Sequence, residues 1–136
     1  MKSLGRHLIM ELYDCDRQVL DDIGRIDEIL LEAAAAARAT VVSKVGHQFA
    51  PHGVSAIVAI GESHLAVHTW PEHGYCAADI FTCGDHTDND AAFQVLRQAF
   101  RAGNCAALEV TRGLRDRPGE PVPVGRPYQS PSSAAT

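Results

Sequence analysis

Apolar residues follow two different periods along the chain, and each change of period predicts a new element. Residues 5–15, GRHLIMELYDC, alternate with period two, as in a strand with one buried face. Residues 17–39 instead carry apolar side chains at helical spacing, behind Asp14 or Asp16 as a helix cap. The alanines at 33–37 favour close packing of this helix on a sheet.

The rest of the pattern predicts five more strands and one more helix. The strand predicted over 54–60, VSAIVAI, is nearly all apolar, so we expect it to be central and covered on both faces. The helix is predicted over 89–103, with Thr87 or Asp88 as its cap and Gly103 at its end. The strand segments are 39–49, 54–60, 63–70, 75–82 and 105–113.

The order of these elements predicts the fold class. It is β-α-β-β followed by β-β-α-β, and two helices on one face of a mostly antiparallel sheet make a two-layer α+β sandwich. The second face of such a sheet carries no helices. We therefore expect a second copy of the chain to cover it, which gives a homodimer.

A change of composition after residue 114 marks the predicted end of the folded domain. The chain has 136 residues, a length typical of one domain. Residues 115–136 hold five of its seven prolines and no hydrophobic periodicity. We predict one domain over 1–114 and a disordered, proline-rich tail over 115–136.

Charge and composition exclude several classes of partner. The formal net charge is -5, whereas nucleic acid and anionic membranes attract basic patches. No apolar run approaches the ~20 residues of a membrane span, and the first residues do not resemble a signal peptide. The four cysteines have no tight spacing, which favours reduced thiols. We expect a cytoplasmic protein that binds neither nucleic acid nor membrane.

Reactive side chains are concentrated in one predicted hairpin, residues 61–85, GESHLAVHTWPEHGYCAADIFTCGD. Its histidines and cysteines are zinc-type ligands, which raises the possibility of a metal site. Against this, the chain has no CxxC pair and no two histidines spaced along one helix face. Cys76 and Cys83 also have opposite strand parity, so they would point to opposite faces. We therefore expect no metal.

Two covalent chemistries compete for the same hairpin. Cys83 could act as a thiolate nucleophile with His68 as its base, but this leaves the Glu62–Ser63 pair without a role. Alternatively, the Ser63 hydroxyl could attack the carbonyl carbon of Glu62 in an N→O acyl shift. Elimination at the serine would then leave a pyruvoyl group. His68 and Ser55 could assist this reaction.

Three motifs in this region resemble one family of proteins. They are Glu-Ser-His at 62–64, His-Thr-Trp-Pro-Glu at 68–72 and Phe-Thr-Cys-Gly at 81–84. With FAPHGVSAIVAIG before them and LEVTRG near the end, they resemble the short bacterial and archaeal S-adenosylmethionine decarboxylase proenzymes. The resemblance runs from about Gly5 to Gly113.

The resemblance implies a self-cleaving, pyruvoyl-dependent enzyme. It implies cleavage between Glu62 and Ser63, with Ser63 becoming the covalent pyruvoyl cofactor that holds substrate as a Schiff base. It assigns His68 and Ser55 to processing, and Cys83 to proton donation during decarboxylation.

The resemblance also implies the substrate and the assembly. The substrate would be S-adenosylmethionine, and the product would be the aminopropyl donor of spermidine synthesis. Phe49 and Trp70 would offer aromatic faces to the adenine and the sulfonium, and Glu72 would accept hydrogen bonds from the ribose. The sites would lie at the interface of the homodimer.

Two alternatives remain open from the sequence. A relative with the same self-cleavage could decarboxylate a basic amino acid, ornithine or arginine. A non-enzymatic alternative is an uncleaved regulatory paralogue or a zinc-binding module. Cleavage of the chain and the choice of substrate distinguish these possibilities.

Overall fold

The computed structural model describes residues 3–115 and 125–129, and these form one sheet with helices on one face. The strands follow the order β2-β3-β4-β5-β1-β6-β7, and every neighbouring pair is antiparallel. The strands are β1 (Ser3–Tyr13), β2 (Val41–Gln48), β3 (Val54–Ile60), β4 (Ser63–Trp70), β5 (Tyr75–Cys83), β6 (Asn104–Leu114) and β7 (Arg126–Pro127). This confirms the predicted α+β sandwich.

The helices are α1 (Arg17–Leu20), α2 (Ile23–Ala36) and α3 (Asn89–Ala99), and a single 3-10 turn covers Pro71–His73. The prediction of one continuous helix over 17–39 was wrong, because Asp22 starts a new helix by accepting a hydrogen bond from the Arg25 amide. None of the described helices is long and apolar enough to cross a membrane.

The core lies between the sheet and the helices α2 and α3. On α2, Ile26, Ile29 and Leu30 are fully buried, and Ala33 and Ala34 let the helix approach the strands closely. Each large apolar side chain buried in this way stabilises the fold by about 1.5–3 kcal/mol. The expected close packing through small residues is therefore present.

Strand β3 departs from its prediction, because only one of its faces is covered. Val54, Ala56, Val58 and Ile60 are buried towards the helices, but Ile57 on the other face is 41% exposed. The apolar sequence of this strand does not reflect burial by helices on both sides. It supplies apolar surface to the uncovered side of the sheet.

We call this uncovered side the open face. A row of paired residues crosses it from strand to strand: Val45, Ile57, Ala66, Asp79, Ile9 and Leu108. Four of these side chains are large, apolar and more than a third exposed. Such an apolar surface is typical of a face that binds another protein.

Part of the predicted tail is folded, so the prediction of disorder was wrong for residues 125–129. Strand β7 pairs with β6 there, and the Tyr128 ring lies 5.7 Å from that of Phe93. The Tyr128 hydroxyl donates to Asp90 Oδ1 at 3.0 Å. The remaining tail positions, 116–124 and 130–136, lie outside the described residues, and the domain boundary at 114 stays a prediction.

Candidate active site

The predicted site residues lie at two opposite ends of the β3–β4 hairpin. Ser55 pairs with His68 at one end, and Ile60 pairs with Ser63 at the other. Ser63 and His68 are five residues apart on one strand, a separation of about 16 Å at about 3.3 Å per residue. We call the region of Glu62, Ser63 and Cys83 the cleavage end.

The opposite region, containing Phe49, Ser55, His68, Trp70 and Glu72, is called the pocket end. Within one chain, His68 and Ser55 are therefore too far from Ser63 to assist its reaction. The separation of the two ends also excludes Cys83 and His68 of one chain as a nucleophile–base pair. His68 pairs with Ala77, and Cys83 lies six residues further along β5, about 20 Å away.

At the cleavage end, the backbone around the Glu62–Ser63 bond is constrained. Ser63 has φ of 143°, in the positive range that residues with a side chain rarely adopt. Such a conformation costs on the order of 1–3 kcal/mol. The Cys83 amide donates to the Glu62 carbonyl oxygen at 2.9 Å. The carbonyl that Ser63 would attack is thus held and polarised by a backbone donor.

The Glu62 side chain is fixed as well. Its Oε1 accepts from the Thr40 amide at 3.1 Å, and its Oε2 lies 2.7 Å from His86 Nε2. The hydrogen bond to His86 is the main reason why the pKa of Glu62 is lowered. No role in self-cleavage was assigned to His86 from the sequence. Its partner is 24 residues away, so the local pattern gave no sign of this contact.

Cys83 completes the cleavage end with an exposed, free thiol. It is the last residue of β5 and pairs with Gly5 of β1. Gly5 is required there, because an added Cβ would lie 2.6 Å from a ring carbon of Phe81. Cys76 is buried on the opposite face of the same strand, so the two cysteines are separated as their parity predicted.

The pocket end is a cavity of about 280 Å³. Ser55 Oγ lies 2.8 Å from His68 Nδ1 inside it. Phe49 and Trp70 are 47% and 42% exposed, so their rings are available to a ligand and are not core residues. The lining residues are Phe49, His52, Gly53, Ser55, His68, Thr69, Trp70 and Glu72. The two processing residues and the three substrate-binding residues implied by the resemblance therefore line one cavity.

Glu72 has a partner that the sequence analysis did not identify. His52 Nε2 lies 2.9 Å from Glu72 Oε2. The pKa of Glu72 is lowered, first by a hydrogen bond from its own backbone amide and further by His52. No role was assigned to His52 from the sequence, and its place in the Pro-His-Gly segment at 51–53 was the available signal. The carboxylate is thereby kept charged and oriented at the cavity rim.

The end of helix α1 anchors this end of the hairpin through Leu20 and the capping residue Asp21. The Thr69 hydroxyl donates to the Leu20 carbonyl at 2.6 Å and accepts from the Val54 amide at 2.9 Å. Asp21 accepts from the Gly53 amide at 2.8 Å. Gly53 has φ of 107°, and an added Cβ would lie 3.2 Å from the Thr69 carbonyl oxygen. The turn that precedes Ser55 is therefore tied to the helix layer.

The fold and the site define a class of protein: an α+β sandwich with a strained Glu-Ser bond at one end of a hairpin and an aromatic pocket at the other. Comparison with known families agrees with this description. The family model described as S-adenosylmethionine decarboxylase matches residues 6–113. The chain belongs to the S-adenosylmethionine decarboxylase family.

Individual relatives cover nearly the whole chain. The S-adenosylmethionine decarboxylase proenzyme of Thermotoga maritima is 47% identical over 135 residues, 99% of each chain. The proenzyme of Fervidobacterium nodosum is 47% identical over 130 residues, 96% of this chain and 93% of its own. The crystal structure of the adenosylmethionine decarboxylase from Aquifex aeolicus is similar at a TM-score of 0.80 and 31% identity. That similarity covers 89% of this chain and 100% of the other.

Proposed function

We propose that the chain cuts itself between Glu62 and Ser63 and then decarboxylates S-adenosylmethionine. The observation that carries the first part is the hydrogen bond from the Cys83 amide to the Glu62 carbonyl, beside a strained Ser63. The family membership supports the second part. The product, decarboxylated S-adenosylmethionine, is the aminopropyl donor of polyamine synthesis.

Self-cleavage begins with an acyl shift. The Ser63 hydroxyl attacks the Glu62 carbonyl carbon, and negative charge develops on an oxygen that already accepts from the Cys83 amide at 2.9 Å. The C–N bond breaks, leaving an ester between Glu62 and Ser63 and a free amine. The reaction also relieves the positive φ of Ser63.

Elimination completes the cleavage. A base removes the Cα proton of residue 63. The bond between Cβ and Oγ of this residue then breaks, and the Glu62 carboxylate leaves with that oxygen. Tautomerisation and addition of water to the resulting dehydroalanine release ammonia and leave the keto group. His68, hydrogen-bonded to Ser55, is the base we assign to this step.

His68 can reach Ser63 only from a second copy of the chain. About 16 Å separates the two ends of β4, so each complete site needs the cleavage end of one copy and the pocket end of its partner. A two-fold axis between two open faces, perpendicular to β4, would reverse the strand and bring these ends together. The exposed apolar row on the open face supports this homodimer.

The residues at the cleavage end fit the pyruvoyl group. Ser63 begins a strand, its neighbouring carbonyl is fixed by a backbone donor, and the free Cys83 thiol lies at the same end. When present, the keto group supplies an electron sink for the loss of carbon dioxide. Cys83 Sγ delivers the proton that the substrate carbon then needs.

The pocket end is suited to the adenosyl group of the substrate. The exposed rings of Phe49 and Trp70 offer faces to the adenine and to the sulfonium, an attraction of about 0.5–2 kcal/mol for the cation. Glu72, held charged by its hydrogen bonds, accepts from the ribose hydroxyls. Ornithine has no planar group, and arginine has only its guanidinium, so neither offers both an adenine and a sulfonium to the two rings. The four free thiols support a cytoplasmic location.

Intact-mass analysis tests the cleavage, and substrate assays test the choice of substrate. The wild-type chain should yield two fragments, ending at Glu62 and beginning at residue 63, whereas Ser63→Ala should stay whole. Carbon dioxide release should require S-adenosylmethionine and not ornithine or arginine. A wild-type chain that stays whole after prolonged incubation contradicts the proposal, and release from ornithine alone contradicts the substrate.

A further inference from the structure

The open face also carries a compact cluster of metal-ligating side chains outside both ends of the site. The cluster consists of His7 on β1, His64 on β4 and Asp79 on β5. His7 and His64 pair with Phe81 from either side, and Asp79 lies two residues away on the same face of β5. One ligand atom from each residue lies within 4.8 Å of the other two. Neighbouring strands therefore place three donors around one point.

The Asp79 carboxylate lies between the two imidazoles. Its Oδ1 is 2.9 Å from His64 Nε2, and its Oδ2 is 3.7 Å from His7 Nε2. Tetrahedral zinc, with bonds of about 2.1 Å, requires ligand atoms about 3.4 Å apart. These two distances, each to a different oxygen of Asp79, fall on either side of that value, and no two of the three ligand atoms are more than 4.8 Å apart. Rotation of the side chains would have to bring all three atoms to one ion.

His7 gives an independent reason to look for a ligand. Its Nε2 is buried and finds no hydrogen-bond partner among the described residues, although buried polar atoms nearly always have one. The separation of 3.7 Å from Asp79 is too long for a hydrogen bond.

The surroundings hold the two imidazoles in place. The Phe81 ring stacks on His7 with centroids 5.1 Å apart and meets His64 edge-on at 5.7 Å. Arg112 lies over the same ring, 4.6 Å from its centroid. The cluster is thus preorganised on rigid strands, which favours specific binding over loose surface attachment.

We propose that His7 Nε2, His64 Nε2 and the Asp79 carboxylate bind one divalent transition-metal ion of the zinc type. Two imidazoles and a carboxylate are ligands that zinc and cobalt accept, and three protein ligands leave a fourth position open. This revises the expectation from the sequence that the chain has no metal site. His7 was not considered there, because it lies 57 positions from His64 and only the sheet register joins them.

A metal ion bound to these three residues would lie next to the cleavage end. His64 directly follows Ser63, so an ion bound to His64 restrains the first residues of β4. Metal binding itself does not depend on the proposed self-cleavage. Failure of one proposal therefore leaves the other unaffected.

Cobalt titration of the chelator-treated, full-length chain tests the proposal. We expect one Co²⁺ per chain, with the visible absorption of a tetrahedral site, and competition by Zn²⁺. His7→Gln and Asp79→Asn should each weaken binding by about tenfold or more. His47→Gln removes an exposed histidine elsewhere on the sheet and should leave binding unchanged. Circular dichroism checks that each variant is folded.

Three results would overturn the proposal. One is the absence of stoichiometric binding to the wild-type chain. Another is unchanged binding in the folded variant, His7→Gln or Asp79→Asn. The last is a sulfur-to-cobalt charge-transfer band, which would assign the ion to the exposed thiol of Cys83.

Discussion

Replacing Thr69 by valine tests how the pocket end is held. Valine keeps the shape of the side chain and removes only the hydroxyl, which bridges the Leu20 carbonyl and the Val54 amide. Thr69 is 6% exposed, so water cannot easily replace the lost partner. Each buried group left without a hydrogen bond costs about 1–3 kcal/mol. With two such groups, we expect Thr69→Val to lower the free energy of unfolding by about 2–6 kcal/mol.

Urea unfolding, followed by circular dichroism at one protein concentration, measures this loss. The concentration must be equal for every variant, because the stability of a dimer depends on it. Thr40→Val is the matched control, since Thr40 is exposed and uses only its backbone amide to bind Glu62. The control should change stability by less than about 0.5 kcal/mol. If Thr69→Val matched the control, the hydroxyl bridge would not stabilise the fold.

The other predictions concern the chemistry of the two ends. Cys83→Ala should still cleave itself, because only the backbone amide of Cys83 contacts Glu62, but should release carbon dioxide about 100-fold more slowly or worse; loss of cleavage would contradict this division of roles. His86→Gln should slow cleavage by about tenfold, measured as the rate at which fragments form, because His86 fixes the Glu62 side chain. An unchanged rate would show that this contact does not position the scissile bond. The lowered pKa of Glu62 stabilises the uncleaved precursor above the ordinary value of 4.5, and this stability is lost as pH falls through the lowered pKa. The free energy of unfolding should be measured with cleavage blocked by Ser63→Ala. Its decline below pH 4.5 should be shallower when His86→Gln is added, and an equal slope with and without His86→Gln would exclude the hydrogen bond between His86 and Glu62. His52→Gln should raise KM for S-adenosylmethionine with kcat nearly unchanged, because it orients Glu72 in the pocket; a fall in kcat alone would contradict this.

Much of the sheet could be predicted because its strands have regular periods. The alternation over 5–15 and 75–82 matches the buried positions of β1 and β5. The helix break at Asp21 and Asp22 was missed, since both halves keep helical spacing and only the capping contact divides them. The pairing of β7 was missed because proline-rich composition does not show what Tyr128 packs against.

The resemblance implied the residues of the pocket end and sites at a dimer interface, but it did not show which residues each chain would supply. The motifs named Ser55, His68, Trp70 and Glu72, and these residues line one cavity. The five-residue separation of Ser63 and His68 on one predicted strand was a usable sign that they cannot meet within a chain. The contacts of His52 and His86 depend on loops meeting in space, which no local pattern encodes.

The sharing of each site between two chains is the central claim, and mixing two inactive variants tests it directly. His68→Ala keeps an intact Ser63, and Ser63→Ala keeps an intact His68, so a mixed dimer contains one complete site and one site that lacks both groups. The two chains should be produced together, with a mass tag on one, and examined by intact-mass analysis. We predict that neither variant cleaves when produced alone. In an equal mixture, random pairing gives half of the His68→Ala chains a Ser63→Ala partner. About half of the His68→Ala chains should therefore be cut, and none of the Ser63→Ala chains. If the His68→Ala chain stays whole in the mixture, or cuts itself when alone, the two ends do not act across a dimer interface.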